Sequence, residues 1–328
     1  MKIAILDDYQ DAVRWLPCFS LLHGHEVKVF HHSASGLGQL ALRLAPYEVL
    51  VLIRERTRFP RALLQRLPNL KLIAQTGKLA GHVDVAAAAE CGIAIAEGVG
   101  DPTAPAELSW ALIMAASRRL NNYAQLLQQG VWQTSSTSPE YNGLGRVLKR
   151  RTLGIWGYGK IGRLVAGYAR AFGMQVLVWG RDASRAQAVA DGYRAAPSKA
   201  AFFAEADILT LHLRLNEATR GIVSAADLAL MKTDALLVNT SRAELLQEGA
   251  LVAALDAGRP GFAALDVFES EPLSLPHPLL GRENVLATPH LGYVEQDSYE
   301  LYFRAAFQNV LDFAAGAEES GAGRPIGV

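Results

Sequence analysis

The sequence predicts an α/β protein built from two doubly wound parallel-sheet domains. The chain has 328 residues, and at about 150 residues per domain that length makes about two domains. Short runs rich in Val, Ile and Leu alternate with longer stretches of helical period. Strands buried on both faces of a helix-covered sheet require that pattern. The alternation also comes in two consecutive sets, which argues for two such domains over one large sheet.

The first set of expected strands is KIAILDD from Lys2, EVKVFHH from Glu26, EVLVLIR from Glu48, LKLIAQ from Leu70 and GIAIAEG from Gly92. The second set is TLGIWGYG, QVLVWGR, ADILTLHL, DALLVNTS, GFAALDV and NVLATPH. Between them lie residues 105–151, where PAELSWALIMAASRRL reads as a helix with Pro105 near the favoured first turn. Leu108, Leu112 and Ala115 or Ala116 share one face of it. Residues 133–145, with Thr, Ser, Pro and Gly throughout, read as a loop. After the last strand, SYELYFRAAFQNVLDFAAG sets Tyr299, Phe303, Phe307, Val310 and Ala314 at helical spacing. That helix could fold back over the first domain, leaving EESGAGRPIGV as a loose tail.

Composition narrows the function. Thirty-two basic residues balance 32 acidic ones, whereas proteins that hold nucleic acid or an anionic membrane usually carry a basic excess. No nucleic-acid or membrane partner is expected. Cys18 and Cys91 cannot staple a chain this long and point to a reducing compartment. The opening MKIAILDDYQ reaches two aspartates within eight residues, so no signal-peptide apolar core forms there. No apolar run approaches the roughly 18 residues of a membrane span. The expected location is cytoplasmic.

One motif points to a dinucleotide. After the strand TLGIW come Gly157, Tyr158, Gly159, Lys160, Ile161 and Gly162, followed by a helical stretch and then the strand QVLVW. A lone GxGxxG is weak evidence; strand before and helix after give it meaning. Gly157 permits the tight turn, Gly159 lets a pyrophosphate approach, and Gly162 lets helix and strand pack closely. The helix amino terminus offers unsatisfied N–H groups to the phosphates.

The end of the second strand bears on which dinucleotide. An acidic residue there accepts hydrogen bonds from the adenosine ribose and repels a 2′-phosphate. This chain has Gly180, Arg181 and Asp182. Arg181, with Arg185 one turn on, could pair with a 2′-phosphate, which favours NADP(H). The alternative is NAD(H), with Arg181 solvated and Asp182 on the ribose.

Three further strand ends supply polar residues where an open α/β sheet binds ligands. DALLVNTS leads to Arg242; GFAALDVF contains Asp266 and runs into Glu269, Glu271 and Pro272; NVLATPH ends at His290. An arginine, a carboxylate and a histidine beside a dinucleotide suit hydride transfer between nicotinamide C4 and the C2 carbon of a 2-oxo acid.

With these motifs together, the sequence resembles the D-isomer-specific 2-hydroxyacid dehydrogenases. The pieces are LGIWGYGKIG, TLHLRL with Thr219 and Arg220 after it, LLVNTSR, AALDVFESEP and TPHLG, in the family's order. The resemblance covers nearly the whole chain and is strongest over residues 152–292. It implies a Rossmann cofactor domain, residues 102–291, inserted into a flavodoxin-like substrate domain made of residues 1–101 and 292–328. It also implies Arg242 as the arginine that grips the substrate carboxylate, His290 as the acid–base group, and Glu271 as the histidine's carboxylate partner. His212, Thr240, Ser241 and Asp266 join the glycine loop as implied cofactor contacts, with Asp266 near the nicotinamide carboxamide. Gly77, Lys78 and Leu79 fall on the loop that meets the substrate. Ala106 and Glu107 match the start of the interdomain helix, and a homodimer is the implied assembly. The partner is then a small 2-oxo or 2-hydroxy acid. Two alternatives stay open: a nucleotide-sensing, corepressor-like binding protein, and a formate dehydrogenase-like enzyme, against which Glu271 argues.

The chain departs from the family at the substrate loop, where Leu79 stands at a common glycine and Gly81 at a common aspartate. Ala243 follows Arg242 in place of glycine, and Arg214 replaces a common proline. Lys78 could add a cation. No metal is expected: the pairs His23/His25 and His31/His32 flank a strand and sit roughly 20 Å apart. The basic run Arg146, Lys149, Arg150 and Arg151 reads as a solvated connector, and neither cysteine has a spacing partner for zinc.

Overall fold

The computed structural model describes residues 1–34 and 36–320, with side chains through 316. The chain divides into two compact units: Met1–Asp101 with the chain from Glu295 onward, and Pro102–Val294. The first unit is therefore discontinuous, and the second is inserted into it. The second crossing falls at Val294, because the amides of Leu291 and Gly292 are still bound by Asp266 of the second unit.

In the first unit, strands β1 (Lys2–Leu6), β2 (Glu26–Val29), β3 (Val49–Leu52), β4 (Leu72–Gln75) and β5 (Ala94–Ala96) form one sheet in the order β2-β1-β3-β4-β5. Every pairing is parallel. The sequence explains the order: VLVL and LIAQ are buried throughout and lie inside, while EVKV, with alternating charges, takes an edge. The helix Gln296–Ser320 belongs to this unit, and Tyr299, Phe303, Phe307 and Val310 on its inward face are all buried. Phe307 meets Phe19 edge to face at 6.3 Å, and Glu300 accepts the amide of Cys18. The first three residues of the expected tail are thus helical, and residues 321–328 lie outside the described residues.

In the second unit seven strands run parallel: β6 (Thr152–Trp156), β7 (Gln175–Trp179), β8 (Arg194–Ala195), β9 (Ile208–Leu211), β10 (Leu236–Asn239), β11 (Phe262–Leu265) and β12 (Val285–Ala287). Their order is β12-β11-β10-β9-β6-β7-β8, so the direction of winding reverses between β6 and β9. Strand β8, two residues long, carries no apolar run and was absent from the sequence expectation. One face of the sheet is covered by Phe202, Phe203, Leu228 and Leu255, the other by Ile113, Val165, Ala166 and Ala188.

The helix Thr103–Ser117 begins two residues before Pro105 and is capped by Arg118; Arg119, with a left-handed backbone (φ 53°), then starts a second helix, Leu120–Gln128. Its buried face is Ala106, Ser109, Leu112 and Ile113, rotated from the expected Leu108 stripe. Small residues let it lie close to the sheet, and the Ser109 hydroxyl is satisfied by the carbonyl of Pro105.

Candidate active site

Six neighbouring parallel strands of the second sheet present their carboxyl ends along one edge. The residues that follow them are, across the sheet, Thr288 and His290 after β12, Asp266 after β11, Thr240–Arg242 after β10, His212 after β9, Gly157 after β6 and Gly180 after β7. This is the edge where open α/β sheets bind ligands, and one unit supplies all of it.

The glycine loop has the shape a pyrophosphate needs. Gly157 has φ +105°, and a Cβ there would come within 2.4 Å of the His212 carbonyl. A Cβ on Gly162 would lie 2.2 Å from the carbonyl of Gly157. At Gly159, by contrast, a Cβ would meet nothing within 4 Å. Gly159 is also the residue before the helix Lys160–Ala171, whose first N–H groups face the same opening. The loop is therefore tight on the protein side and open where a phosphate would pass, so the residues fit a dinucleotide. Tyr158 turns inward: it is buried, and its hydroxyl donates to Asp191 at 2.8 Å, which leaves its main chain at the loop. Ile161 packs on the core and Lys160 is exposed.

At the end of β7, no carboxylate occupies Gly180. Asp182 is exposed and paired with Arg185, and Arg185 lies over the Trp179 ring at 4.9 Å. Arg185 is thus already engaged, contrary to its expected freedom to meet a phosphate. Arg181 is exposed and makes no ion pair among the described residues.

His212 lies beside this loop. Its Nε2 is 3.1 Å from the Thr210 hydroxyl, while its buried Nδ1 has no hydrogen-bond partner. Burial pushes the ring down to about 4, so it is neutral near pH 7.

The end of β10 is braced by Asn239, a residue the sequence reading did not single out. Its side chain donates to the carbonyl of Arg242 and accepts the amide of Ser241. The Ser241 hydroxyl donates to the carbonyl of Leu211 and the Thr240 hydroxyl meets Ser109 at 2.7 Å. These hydroxyls lock β10 to its neighbours, and the Arg242 guanidinium is steadied by the carbonyl of Ser241 at 2.6 Å. Asn239 stands inside the LLVNTSR motif, so its position was visible but its role was not.

His290 and Glu271 come together. The ring Nδ1 lies 2.5 Å from Glu271 Oε2, and Glu271 Oε1 accepts the amide of Phe268 at 2.9 Å. The carboxylate is therefore aimed before it meets the ring. Tyr293, also unforeseen, packs edge-on against the imidazole at 5.6 Å. His290 has φ +54°, a left-handed conformation that a residue with a Cβ adopts only when its surroundings impose it. Asp266 imposes it: fully buried, it accepts the Thr288 hydroxyl and the amides of Leu291 and Gly292. Burial raises its pKa, against the pull of those donors and of His290. Glu271, not Glu269, is the glutamate hydrogen-bonded to the ring.

In the first unit, residues 77–79 lie in a loop after β4. A Cβ on Gly77 would fall 2.2 Å from the Arg54 guanidinium. Lys78 pairs with Glu97 at 3.0 Å, and the Leu79 amide donates to the same carboxylate at 2.8 Å. Elsewhere in this unit Asp8, Asp11 and His31 bring one donor atom each within 4.8 Å, but Arg14 already pairs with Asp11 and reaches the His31 ring. No helix among the described residues is long and apolar enough to cross a membrane.

The chain is similar to known proteins in sequence and fold. The model of the D-isomer specific 2-hydroxyacid dehydrogenase NAD binding domain matches residues 110–292. The glyoxylate reductase of Aeropyrum pernix is 37% identical over 258 residues, covering 77% of this chain and 76% of that protein. The D-3-phosphoglycerate dehydrogenase of Methanocaldococcus jannaschii is 34% identical over 89% of this chain, which spans only about half (53%) of that relative's length. The crystal structure of a Ralstonia solanacearum oxidoreductase superposes with a TM-score of 0.93 and 59% identity over 96% of this chain and 94% of that one. The chain belongs to the D-isomer-specific 2-hydroxyacid dehydrogenase family, oxidoreductases that use a nicotinamide dinucleotide.

Proposed function

We propose that this protein reduces small 2-oxo acids to D-2-hydroxy acids, with NADP(H) preferred over NAD(H). The observation that carries the reading is the strand-edge array in one unit: an open glycine loop, Arg242 two strands away, and His290 paired with Glu271 two strands beyond that.

The dinucleotide, when bound, supplies the hydride. The chain's residues do the rest. Arg242 grips the substrate carboxylate and polarises the ketone oxygen, as a preorganised donor does for developing negative charge. Glu271 holds Nδ1, which leaves Nε2 as the nitrogen that hands a proton to that oxygen. In the reverse direction neutral His290 takes the proton back. Asp266 and Asn239 keep His290 and Arg242 at their strand ends. The missing carboxylate at Gly180, the pairing of Asp182 with Arg185, and the exposed Arg181 support a site for a 2′-phosphate.

The test is a panel of glyoxylate, hydroxypyruvate, pyruvate and phenylpyruvate with each reduced cofactor. Turnover with a clear NADPH preference supports the reading. An inactive protein that still binds dinucleotide would support a sensing role instead, and a clear NADH preference would remove the NADP(H) assignment.

A further inference from the structure

We propose that Arg214 is a cation for the bound dinucleotide, meeting one of its phosphates from the side of the glycine loop opposite Arg181. The contact rests on the dinucleotide site at this sheet edge but not on a preference for NADP(H).

The strand before it aims the side chain. Along β9 and past its end, side chains alternate between the two faces of the sheet. Leu209, Leu211, Leu213 and Leu215 all pack into the layer of Phe202 and Phe203. Ile208 instead joins the layer of Val165 and Ala166, which belong to the helix Lys160–Ala171. On that second row the Thr210 hydroxyl meets His212 at 3.1 Å, and Arg214 is the next residue of the row. It therefore stands beyond the carboxyl end of the strand, on the face whose helix opens at the glycine loop. The loop lies against the same segment: a Cβ on Gly157 would come within 2.4 Å of the His212 carbonyl and 3.3 Å of the Leu213 side chain.

The backbone that carries Arg214 is fixed, whereas its guanidinium is uncommitted. The Thr219 hydroxyl donates to the Arg214 carbonyl at 2.7 Å, and Asn216 and Thr219 close the turn through each other's amides at 2.8 and 3.1 Å. The Arg214 side chain is exposed and makes no ion pair among the described residues. Trp156 pairs with Leu211 on one side and with Trp179 on the other. With neighbouring strands about 4.8 Å apart, Arg214 and Arg181 thus flank the glycine loop, one on each side. A dinucleotide carries negative charge on its pyrophosphate, and NADP(H) adds more on the 2′-phosphate. Two free guanidinium groups astride the loop complement the N–H groups of the helix amino terminus. Proline, common in the family where Arg214 stands, would bring no charge.

The test is isothermal titration of NADPH and of NADH into wild type, Arg214→Gln and Arg214→Glu. Arg214→Gln should weaken at least one dinucleotide by about fivefold or more. A loss with both would place the guanidinium on the pyrophosphate; a loss with NADPH alone would place it on the 2′-phosphate. Arg214→Glu has the shape of the Gln variant with a negative charge, and should bind at least about threefold more weakly still. The turn is held by the Arg214 carbonyl and not by its side chain, so both variants should melt with wild type. A folded Arg214→Gln that binds both dinucleotides within about twofold of wild type overturns the proposal. Equal affinity of the Gln and Glu variants does so too, because a phosphate contact must respond to the charge. A wild type that binds neither dinucleotide would instead overturn the cofactor reading, and this proposal with it.

Discussion

The carboxylate of Asp266 accepts the two amides that follow His290, and with the Thr288 hydroxyl it holds that histidine in a left-handed backbone conformation. The strain at His290 and the burial of Asp266 are thus two sides of one device, which delivers an imidazole at a strand end with Nδ1 toward Glu271.

Asp266→Asn keeps the shape but turns one acceptor into a donor facing an N–H or O–H group. Leaving buried groups unsatisfied should cost about 1–3 kcal/mol of stability. It should also lower kcat/KM by about tenfold or more, because His290 loses its imposed geometry. Thermal unfolding and steady-state kinetics measure the two. Unchanged activity would mean that His290 is placed without Asp266.

His290→Ala and Arg242→Ala should each lower kcat/KM for a good 2-oxo acid by about 10²-fold or more. Glu271→Gln, which keeps the hydrogen bond but not the charge, should cost less than His290→Ala. Near-wild-type turnover in either alanine variant would contradict the assigned roles.

Arg181→Glu should reverse the cofactor preference, lowering kcat/KM for NADPH by about tenfold or more with a smaller effect on NADH. Equal losses with both cofactors would show that Arg181 does not meet a 2′-phosphate.

His212 makes a pH prediction. Burial holds the folded ring down to about 4, below the ordinary histidine value of about 6.5. The unfolded chain therefore binds a proton first as pH falls, and this group takes stability away from about pH 6.5 down to about pH 4 while contributing no slope above. His212→Gln should flatten the melting temperature against pH in that window. Parallel curves for wild type and variant would contradict it.

Leu120, Leu127, Trp132, Leu144 and Val147 are large apolar side chains exposed within residues 120–147, and we propose that they meet a second copy of the chain. Light scattering should give about twice the 35.4 kDa chain mass, and Leu144→Asp with Val147→Asp should shift it toward one.

Much of this was legible in the sequence because parallel strands buried on both faces leave continuous apolar runs: VLVL, LIAQ and LLVN each became a fully buried strand. The two-residue β8 left none. The glycine loop was readable because steric demands at Gly157 and Gly162 admit only glycine, whereas hydrogen-bond partners depend on contacts far apart in sequence. Arg185 on Trp179 and Asp182, Ser109 on Thr240, and Glu97 on Lys78 and Leu79 are of that kind, and apolar periodicity carries no trace of them. Chemically suggestive residues were found by type. Their braces, Asn239 and Tyr293, were not, because an asparagine or a tyrosine near a motif has many other uses.

The central claim is hydride transfer to C2 of a 2-oxo acid, and isotope transfer tests it most directly. Both C4-deuterated diastereomers of NADPH, each incubated with glyoxylate or hydroxypyruvate, should between them yield one diastereomer that places a single deuterium on C2 of the hydroxy-acid product, and His290→Ala should form that product at about a hundredth of the wild-type rate or less. Failure of every deuterated NADPH or NADH to label any 2-hydroxy acid would contradict the account.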